Sequence, residues 1–275
     1  MEKSKSAGDL VVDFTFKGKE ISLEGFSLDD WIYKSIKATK NFYEIDLLEY
    51  IRYVLNGKED GVMIDIGANI GNHSVFFGSF IAGSVICFEP NPNVLPILKR
   101  NLSTNKIVHK LFELGLGDKP GYASVQIPSG HENNVGAAKL VTSSDSSSTI
   151  TISTLDMLIP EINDVLQGRN ILAIKIDVEG MEPNVLNGGK VLISTYKPEI
   201  FIEVTDINQM GRIEPILINI GYYKIISYAA TPVWHFSHRS KTTLLNLLRI
   251  KSYIYLDKFK KKLASYASKI IRLFK

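Results

Sequence analysis

A single cysteine in 275 residues, Cys87, leaves no partner for a disulfide and no thiolate set for a structural zinc site. It sits inside the apolar run Val85-Ile86-Cys87-Phe88, which reads as a core thiol. Long apolar runs are missing as well. Nowhere do about 18 uncharged apolar residues follow one another, and Met1-Glu2-Lys3-Ser4-Lys5-Ser6 lead into no continuous apolar segment of the secretory kind. The expectation is a soluble, cytoplasmic protein. Extreme composition is absent too: 45% hydrophobic and 22% charged residues exclude disorder over most of the length and allow a core without disulfide or metal support.

Charge is unevenly spread. From Lys241 to Lys275 there are ten Lys or Arg against one acid, Asp257, a net of +9; since the whole chain carries +3, the other 240 residues carry −6. Three segments follow from pattern and charge: 1–60, an N-terminal hairpin and helical cap; 61–240, the main domain; and 241–275, a basic amphipathic helix. In the first, Leu10-Val11-Val12, Phe14-Thr15-Phe16 and Ile21-Ser22-Leu23 around Lys17-Gly18-Lys19 predict a hairpin. Trp31, Ile32 and Ile36, then Ile45, Leu47, Leu48, Ile51, Val54 and Leu55, predict two helices, with Ser27 and Asp30 at the start of the first.

After Gly61 the pattern changes to short apolar runs separated by helical stretches: Val62 to Ile66, Ser84 to Glu89, Val108 to Gly115, Ile171 to Asp177 and Pro198 to Thr205. Runs without alternation suit strands buried on both faces, and strands alternating with helices imply a parallel sheet with right-handed crossovers. The fold class is α/β, a doubly wound, Rossmann-like sheet with helices on both faces. The stretch 142–149, rich in Ser and Thr, breaks the rhythm and reads as a surface loop or lid.

The first strand runs into Gly67-Ala68-Asn69-Ile70-Gly71, and a helix begins at Asn72-His73-Ser74. Strand, glycine turn and helix N-terminus expose backbone N–H groups to a ligand and favour a negative group there. The spacing Gly-x-Asn-x-Gly matches neither the dinucleotide nor the P-loop fingerprint. Glu89, 18 positions after Gly71, stands where an acidic residue takes ribose hydroxyls in such folds. Asp65 at the mouth of the loop would repel a pyrophosphate yet suits a sulfonium and an ammonium. S-adenosylmethionine carries both, with a carboxylate for the helix N-terminus.

Asp65 through His73, Phe88-Glu89-Pro90-Asn91-Pro92, Gly115-Leu116-Gly117-Asp118 and Ile174-Lys175-Ile176-Asp177-Val178-Glu179-Gly180 resemble, in order, the motifs of the FkbM-type S-adenosylmethionine-dependent methyltransferases. Phe42-Tyr43-Glu44 and Leu155-Asp156 also fit, so the resemblance covers about residues 40 to 205. It implies a class I methyltransferase fold, usually with seven strands and an antiparallel last one, and methyl transfer to a hydroxyl of a sugar or polyketide. It also implies roles: Glu89 at the ribose, Gly67, Ala68, Asn69 and Gly71 at the methionine end, and Gly115 and Leu116 at the adenine edge, with Asn72, Pro90, Asn91 and Asp177 also taken as cofactor-binding. Asn134 and Gly136 match an Asn-x-Gly frequent in the family and, with Glu44, are taken as acceptor-binding.

Transfer to oxygen requires alignment of the acceptor and removal of its proton. Asp177 and Glu179, beyond the C-terminal end of a strand, could orient and deprotonate an alcohol or bind a divalent cation that acidifies it; alternatively Lys175 and Asp177 form a buried structural pair and Glu179 caps a helix. His73 at a helix N-terminus is a second base. His235 and His238 lack a third ligand nearby, so no metal site is assigned. The Asp/Asn-Pro-Pro-Tyr/Trp motif of amino-methylating nucleic-acid enzymes is missing, which argues against a nucleic-acid partner.

In the tail, Phe259, Leu263, Tyr266, Ile270, Leu273 and Phe274 share a helical stripe flanked by Lys and Arg. The stripe suits packing on its own domain, a second subunit, or peripheral contact with an anionic inner membrane surface. The reading is therefore an O-methyltransferase acting on a saccharide or related cell-envelope or secondary-metabolite hydroxyl. The alternative is a non-catalytic cofactor-binding module that docks through the basic tail, and a nicotinamide oxidoreductase is disfavoured by Asp65 and the glycine spacing.

Overall fold

The computed structural model describes residues 10–55, 60–126, 139–143, 150–204, 206–228 and 232–273. The N-terminal hairpin joins β1 (Val11–Phe16) to β2 (Lys19–Glu24) across Lys17 and Gly18, both at positive φ. Val12, Phe14, Ile21 and Leu23 are buried and their neighbours face outward, the period-two pattern of a half-buried sheet. Helices α1 (Trp31–Thr39) and α2 (Ile45–Val54) follow. Asp30 is the N-cap of α1, accepting the Tyr33 N–H at 2.8 Å, while the Ser27 hydroxyl accepts the Asp30 N–H at 3.0 Å.

The chain then alternates: β3 (Gly61–Ile66), α3 (Asn72–Phe80), β4 (Ser84–Phe88), α4 (Leu95–Thr104), β5 (His109–Phe112), then the short strands β6 (Gly115–Leu116), β7 (Gly121–Gln126), β8 (Lys139–Ser143) and β9 (Ile150–Ser153). It continues through α5 (Ile159–Leu166), β10 (Asn170–Ile176), α6 (Glu182–Asn187), α7 (Lys190–Tyr196), β11 (Glu199–Glu203), α8 (Ile207–Asn219), β12 (Tyr222–Tyr228), β13 (Val233–His238) and α9 (Leu244–Leu273). Seven strands make the central sheet in the order β12-β13-β11-β10-β3-β4-β5, parallel except for β13, which is antiparallel to both its neighbours. Strand order reverses between β3 and β10, which opens a crevice beyond their C-terminal ends.

Alternation along the buried strands sorts two cores. Ile64, Ile66, Ile86, Phe88, Ile174, Ile176, Ile200 and Ile202 pack on one face with α5 to α8. Met63, Val85, Cys87, Ala173 and Phe201 pack on the other with the hairpin, α1 to α4 and α9. Asp65, Lys175, Asp177 and Glu203 share the parity of this second face.

Two expectations change. The run Val108 to Gly115 is not one strand: β5 ends at Phe112, and Gly115-Leu116 pairs with Ile152-Ser153 in a second sheet of order β6-β9-β7-β8. Thr142 and Ser143, read as loop, belong to β8, where they pair with Ala123 and Tyr122; residues 144–149 lie outside the described residues.

Three asparagine side chains, from α3, α4 and the C-cap of α4, join the cap to the main domain. Asn101 Oδ1 accepts the Glu24 N–H at 2.8 Å and its Nδ2 donates to Glu24 O at 2.9 Å and to Ile70 O at 2.8 Å. Asn105 makes the same exchange with Ser22, at 3.0 and 2.7 Å. Asn72 does so with Tyr43, at 3.0 and 3.1 Å.

Candidate active site

The loop after β3 explains its own sequence. Gly67, Asn69 and Gly71 all take positive φ, 82°, 50° and 87°, so alternate positions need glycine or the one common residue besides it that tolerates the left-handed region. A Cβ on Gly67 would lie 1.8 Å from Asp177 O, so only glycine lets the loop pass the end of β10. The loop is pinned from both sides: Gly67 and Ala68 N–H donate to Phe88 O at 3.0 and 3.1 Å, and Asp177 N–H donates to Ile66 O at 3.0 Å.

Glu89 stands on this shelf. Its two carboxylate oxygens accept the Asn69 N–H at 2.7 Å and the Asn91 N–H at 2.8 Å, fixing the side chain across the loop. Burial pushes its carboxyl up to about 7 against the pull of those two donors. Gly115, Leu116, Val125 and Leu140 complete this end of a cleft of about 300 Å³.

The other end is polar and is assembled from distant segments. Lys175, buried on β10, lies 3.1 Å from Asp177 Oδ2 and 3.6 Å from Asp65 Oδ1. Burial would lower its ammonium, but the two carboxylates hold it above its ordinary value. Burial likewise would raise Asp177, and Lys175 overrides it, keeping that carboxyl well below the usual range. Ile176 and Ile202 are register partners, so Asp177 and Glu203 leave adjacent strand ends side by side and hydrogen-bond. Burial and the Asp177 charge push the Glu203 carboxyl up, so that the pair shares a proton.

His73, in the first turn of α3, is stacked with Tyr43 and places Nε2 3.4 Å from Glu44 Oε2, outside hydrogen-bond geometry. Burial pushes the Tyr43 hydroxyl up to about 12, and the nearby Glu44, Glu203 and Asp177 add to the effect. Trp31, Ile32, Tyr43 and Glu44 close the cleft from the cap.

Residues 65–224 match the family model described as Methyltransferase FkbM domain. The chain belongs to this family. FkbM relatives include the 31-O-demethyl-FK506 methyltransferase FkbM of Streptomyces tacrolimicus, 25% identical over 63% of this chain and 76% of that protein. The hexuronic acid methyltransferase AglP of Haloferax volcanii is 33% identical over 51% of this chain and 55% of that protein. Among solved structures, the FkbM methyltransferase of Methylobacillus flagellatus KT aligns with TM-score 0.43 and 19% identity over 76% of this chain and 55% of that one. As a member of this family the protein is an S-adenosylmethionine-dependent methyltransferase.

In this FkbM-family chain the sequence-selected residues Glu44, Gly67, Ala68, Asn69, Asn72, His73, Glu89, Pro90, Asn91, Gly115, Leu116, Asp177 and Glu179 line one cleft. Asp65 does not. Strand alternation turns it under the loop, where it is fully buried, accepts the Ser74 hydroxyl at 2.5 Å and faces Lys175; the cation beside it is a lysine of this chain. Gly71 acts through geometry, a Cβ there meeting Leu98 Cδ1 at 2.7 Å. Glu179 is not the cap of the following turn: Glu182 Oε1 accepts the Val178 and Gly180 N–H groups at 3.2 and 3.1 Å. His235 is buried between the Tyr50 hydroxyl at 2.8 Å and Glu199 at 3.0 Å, and His238 bonds Ser240. Asn134 and Gly136 lie outside the described residues. Among the described residues no group of three or more His, Cys, Asp or Glu is arranged to hold a metal ion. Sequence reading passes over Glu203, which only the register of β10 against β11 brings beside Asp177.

Proposed function

We propose that this enzyme transfers a methyl group to a hydroxyl of a saccharide. The observation that carries the reading is that the Glu89 shelf and the set Glu44, His73, Asp177 and Glu203 line the same cleft. Bound there, S-adenosylmethionine supplies a methyl group already activated by a positive sulfur.

The residues fit that cofactor. Glu89 offers carboxylate lone pairs for the ribose diol, and Leu114, Leu116 and Val94 an apolar slot for the adenine. Asn69 Oδ1 is buried without a hydrogen-bond partner and suits an ammonium group. Gly67, Ala68, Gly71 and Asn72 present the helix N-terminus to the carboxylate, with Pro90, Asn91 and Gly115 shaping the rim.

On the acceptor side Asp177, held ionised by Lys175, accepts the hydrogen bond of the acceptor hydroxyl and orients it. So depressed a carboxylate is a weak base, which leaves the proton to His73. Its Nε2 is buried without a hydrogen-bond partner, and Glu44 at 3.4 Å stabilises the imidazolium that forms. Glu179 and Glu203 are shared with a second hollow, of about 320 Å³, lined also by Asp206, Asn208, Gln209 and Arg212. Its many donors and acceptors support a polyhydroxylated acceptor, as does the hexuronic acid methyltransferase AglP among the relatives; a divalent cation gains no support here.

The test is S-adenosylhomocysteine release with a panel of hexose and uronate glycans, on wild type and His73→Ala. Turnover on at least one glycan, lowered on the order of a hundredfold in the variant with cofactor affinity kept, is expected. Turnover undiminished in His73→Ala removes the base assignment, and turnover only with non-sugar hydroxyls removes the saccharide.

A further inference from the structure

Helix α9 has two apolar faces on opposite sides. The inner one is occupied by the rest of the chain. Ile250 and Ile254 are buried, Tyr253 stacks on Tyr53 with centroids 4.2 Å apart, and Arg249 donates to Tyr53 O at 2.8 Å and Val54 O at 3.1 Å. Lys261 bridges Asp46 and Asp257, each at 2.8 Å, and the Tyr228 hydroxyl donates to Asp257 at 2.6 Å. Arg249 therefore meets the C-terminal end of α2 and Lys261 its N-terminal end, so the two helices run antiparallel. Asp46 is two residues from Glu44 in the cleft wall.

The stripe identified in the sequence is the other face. Leu244, Leu248, Tyr255, Leu256, Phe259 and Leu263 are between 51% and 74% exposed. At 3.6 residues per turn they occupy one arc centred opposite Ile250 and Ile254, and in the sequence the same rows continue as Tyr266, Ile270 and Leu273. Exposed Lys251 and Lys262 border the arc on one side and Lys260 on the other. An apolar strip edged by cations on both sides matches the layering of a lipid surface, acyl chains beneath anionic headgroups. A second copy of this helix fits poorly, because pairing the strips would bring together two segments of net +9. No helix among the described residues is long and apolar enough to cross a membrane.

We propose that α9 docks this methyltransferase on an anionic membrane surface through its outward face, in the plane of the membrane and beside the cleft rim. The inference does not depend on the acceptor.

Co-sedimentation of the full-length protein with phosphatidylcholine vesicles, with and without phosphatidylglycerol, tests it. The protein is expected to pellet only with phosphatidylglycerol and to be released by high salt. Lys251→Gln/Lys260→Gln/Lys262→Gln should bind on the order of a hundredfold more weakly, and Leu248→Gln/Leu256→Gln/Phe259→Gln should lose binding with an unchanged melting temperature. No pelleting, equal pelleting with both vesicles, or undiminished binding by the apolar variant overturns the proposal. So does a dimer that the apolar variant dissociates while the wild type ignores vesicles, which assigns the face to a second copy.

Discussion

The two ends of the cleft are built in opposite ways. The Glu89 end comes from one βαβ unit: Gly67 to Gly71, the start of α3 and the residues just after β4 supply the shelf, and backbone N–H groups fix it. The polar end draws Glu44, His73, Asp177 and Glu203 from four separate places in the chain, with Lys175 matching the charge of Asp177, which in turn hydrogen-bonds Glu203, and Glu44 set beside His73. One end depends on where the backbone runs, the other on how buried charges are matched. They meet where Gly67 passes Asp177, whose carbonyl oxygen leaves no room for a Cβ.

Breaking that contact should do the most damage. Gly67→Ala combines a strained φ with a Cβ 1.8 Å from a carbonyl oxygen, an expected loss of roughly 3 kcal/mol or more. Both cofactor affinity and turnover should fall with it; a stable Gly67→Ala enzyme that still binds S-adenosylhomocysteine normally would show the two ends to be independent. Next comes Lys175→Met, which leaves Asp65 and Asp177 without their cation. Because the Asp177 side chain is 29% exposed, the lower end of the buried-pair range applies, about 3 kcal/mol in denaturant titration.

A smaller effect separates the ends by pH. Glu89 needs its ionised form to accept from a ribose as well as from Asn69 and Asn91, and its carboxyl titrates near 7. Cofactor affinity should therefore climb as pH rises through 7 and level off above it, with protons released on binding. Calorimetry should find Glu89→Gln weaker by about tenfold and flat with pH; a flat wild-type profile would refute the assignment. The smallest change is expected for Glu203→Gln. The folded chain keeps the Glu203 proton to higher pH than the unfolded chain does, so the wild type loses stability as pH rises above the ordinary carboxyl range. The amide mimics the protonated carboxyl, so it should cost no more than about 0.5 kcal/mol and remove that slope. A loss as large as that of Lys175→Met would mean that Glu203 is ionised.

The same contrast explains what could be read in the sequence. The Glu89 end is local, so Gly67, Asn69, Gly71 and Glu89 announce it by spacing, and the cleft contains them where strand and helix periods put them. Asp65 was misjudged because side-chain direction depends on strand parity, and its partner Lys175 lies 110 positions away. Glu203 was missed because nothing within its own segment marks it; only the register of β10 against β11 brings it to Asp177. The β6-β9-β7-β8 sheet is hard to read for a related reason, its strands being short and two of its three pairings non-consecutive. Helix α9 is legible by its charge and its outer stripe, whereas the inner face around Ile250, Tyr253 and Ile254 reads as ordinary helix interior.

Asn101, Asn105 and Asn72 also guard a strand edge and steady the glycine loop. Each presents a carboxamide that gives and takes one hydrogen bond, as a neighbouring strand would, so Asn101 and Asn105 occupy the open edge of β2 and deny it to any foreign strand. Because Asn101 also holds Ile70 O in the glycine loop, the hairpin is soldered to the part of the enzyme that must not move. A chain trimmed back to the central sheet would keep all seven strands yet expose these amides, and with them the loop they steady.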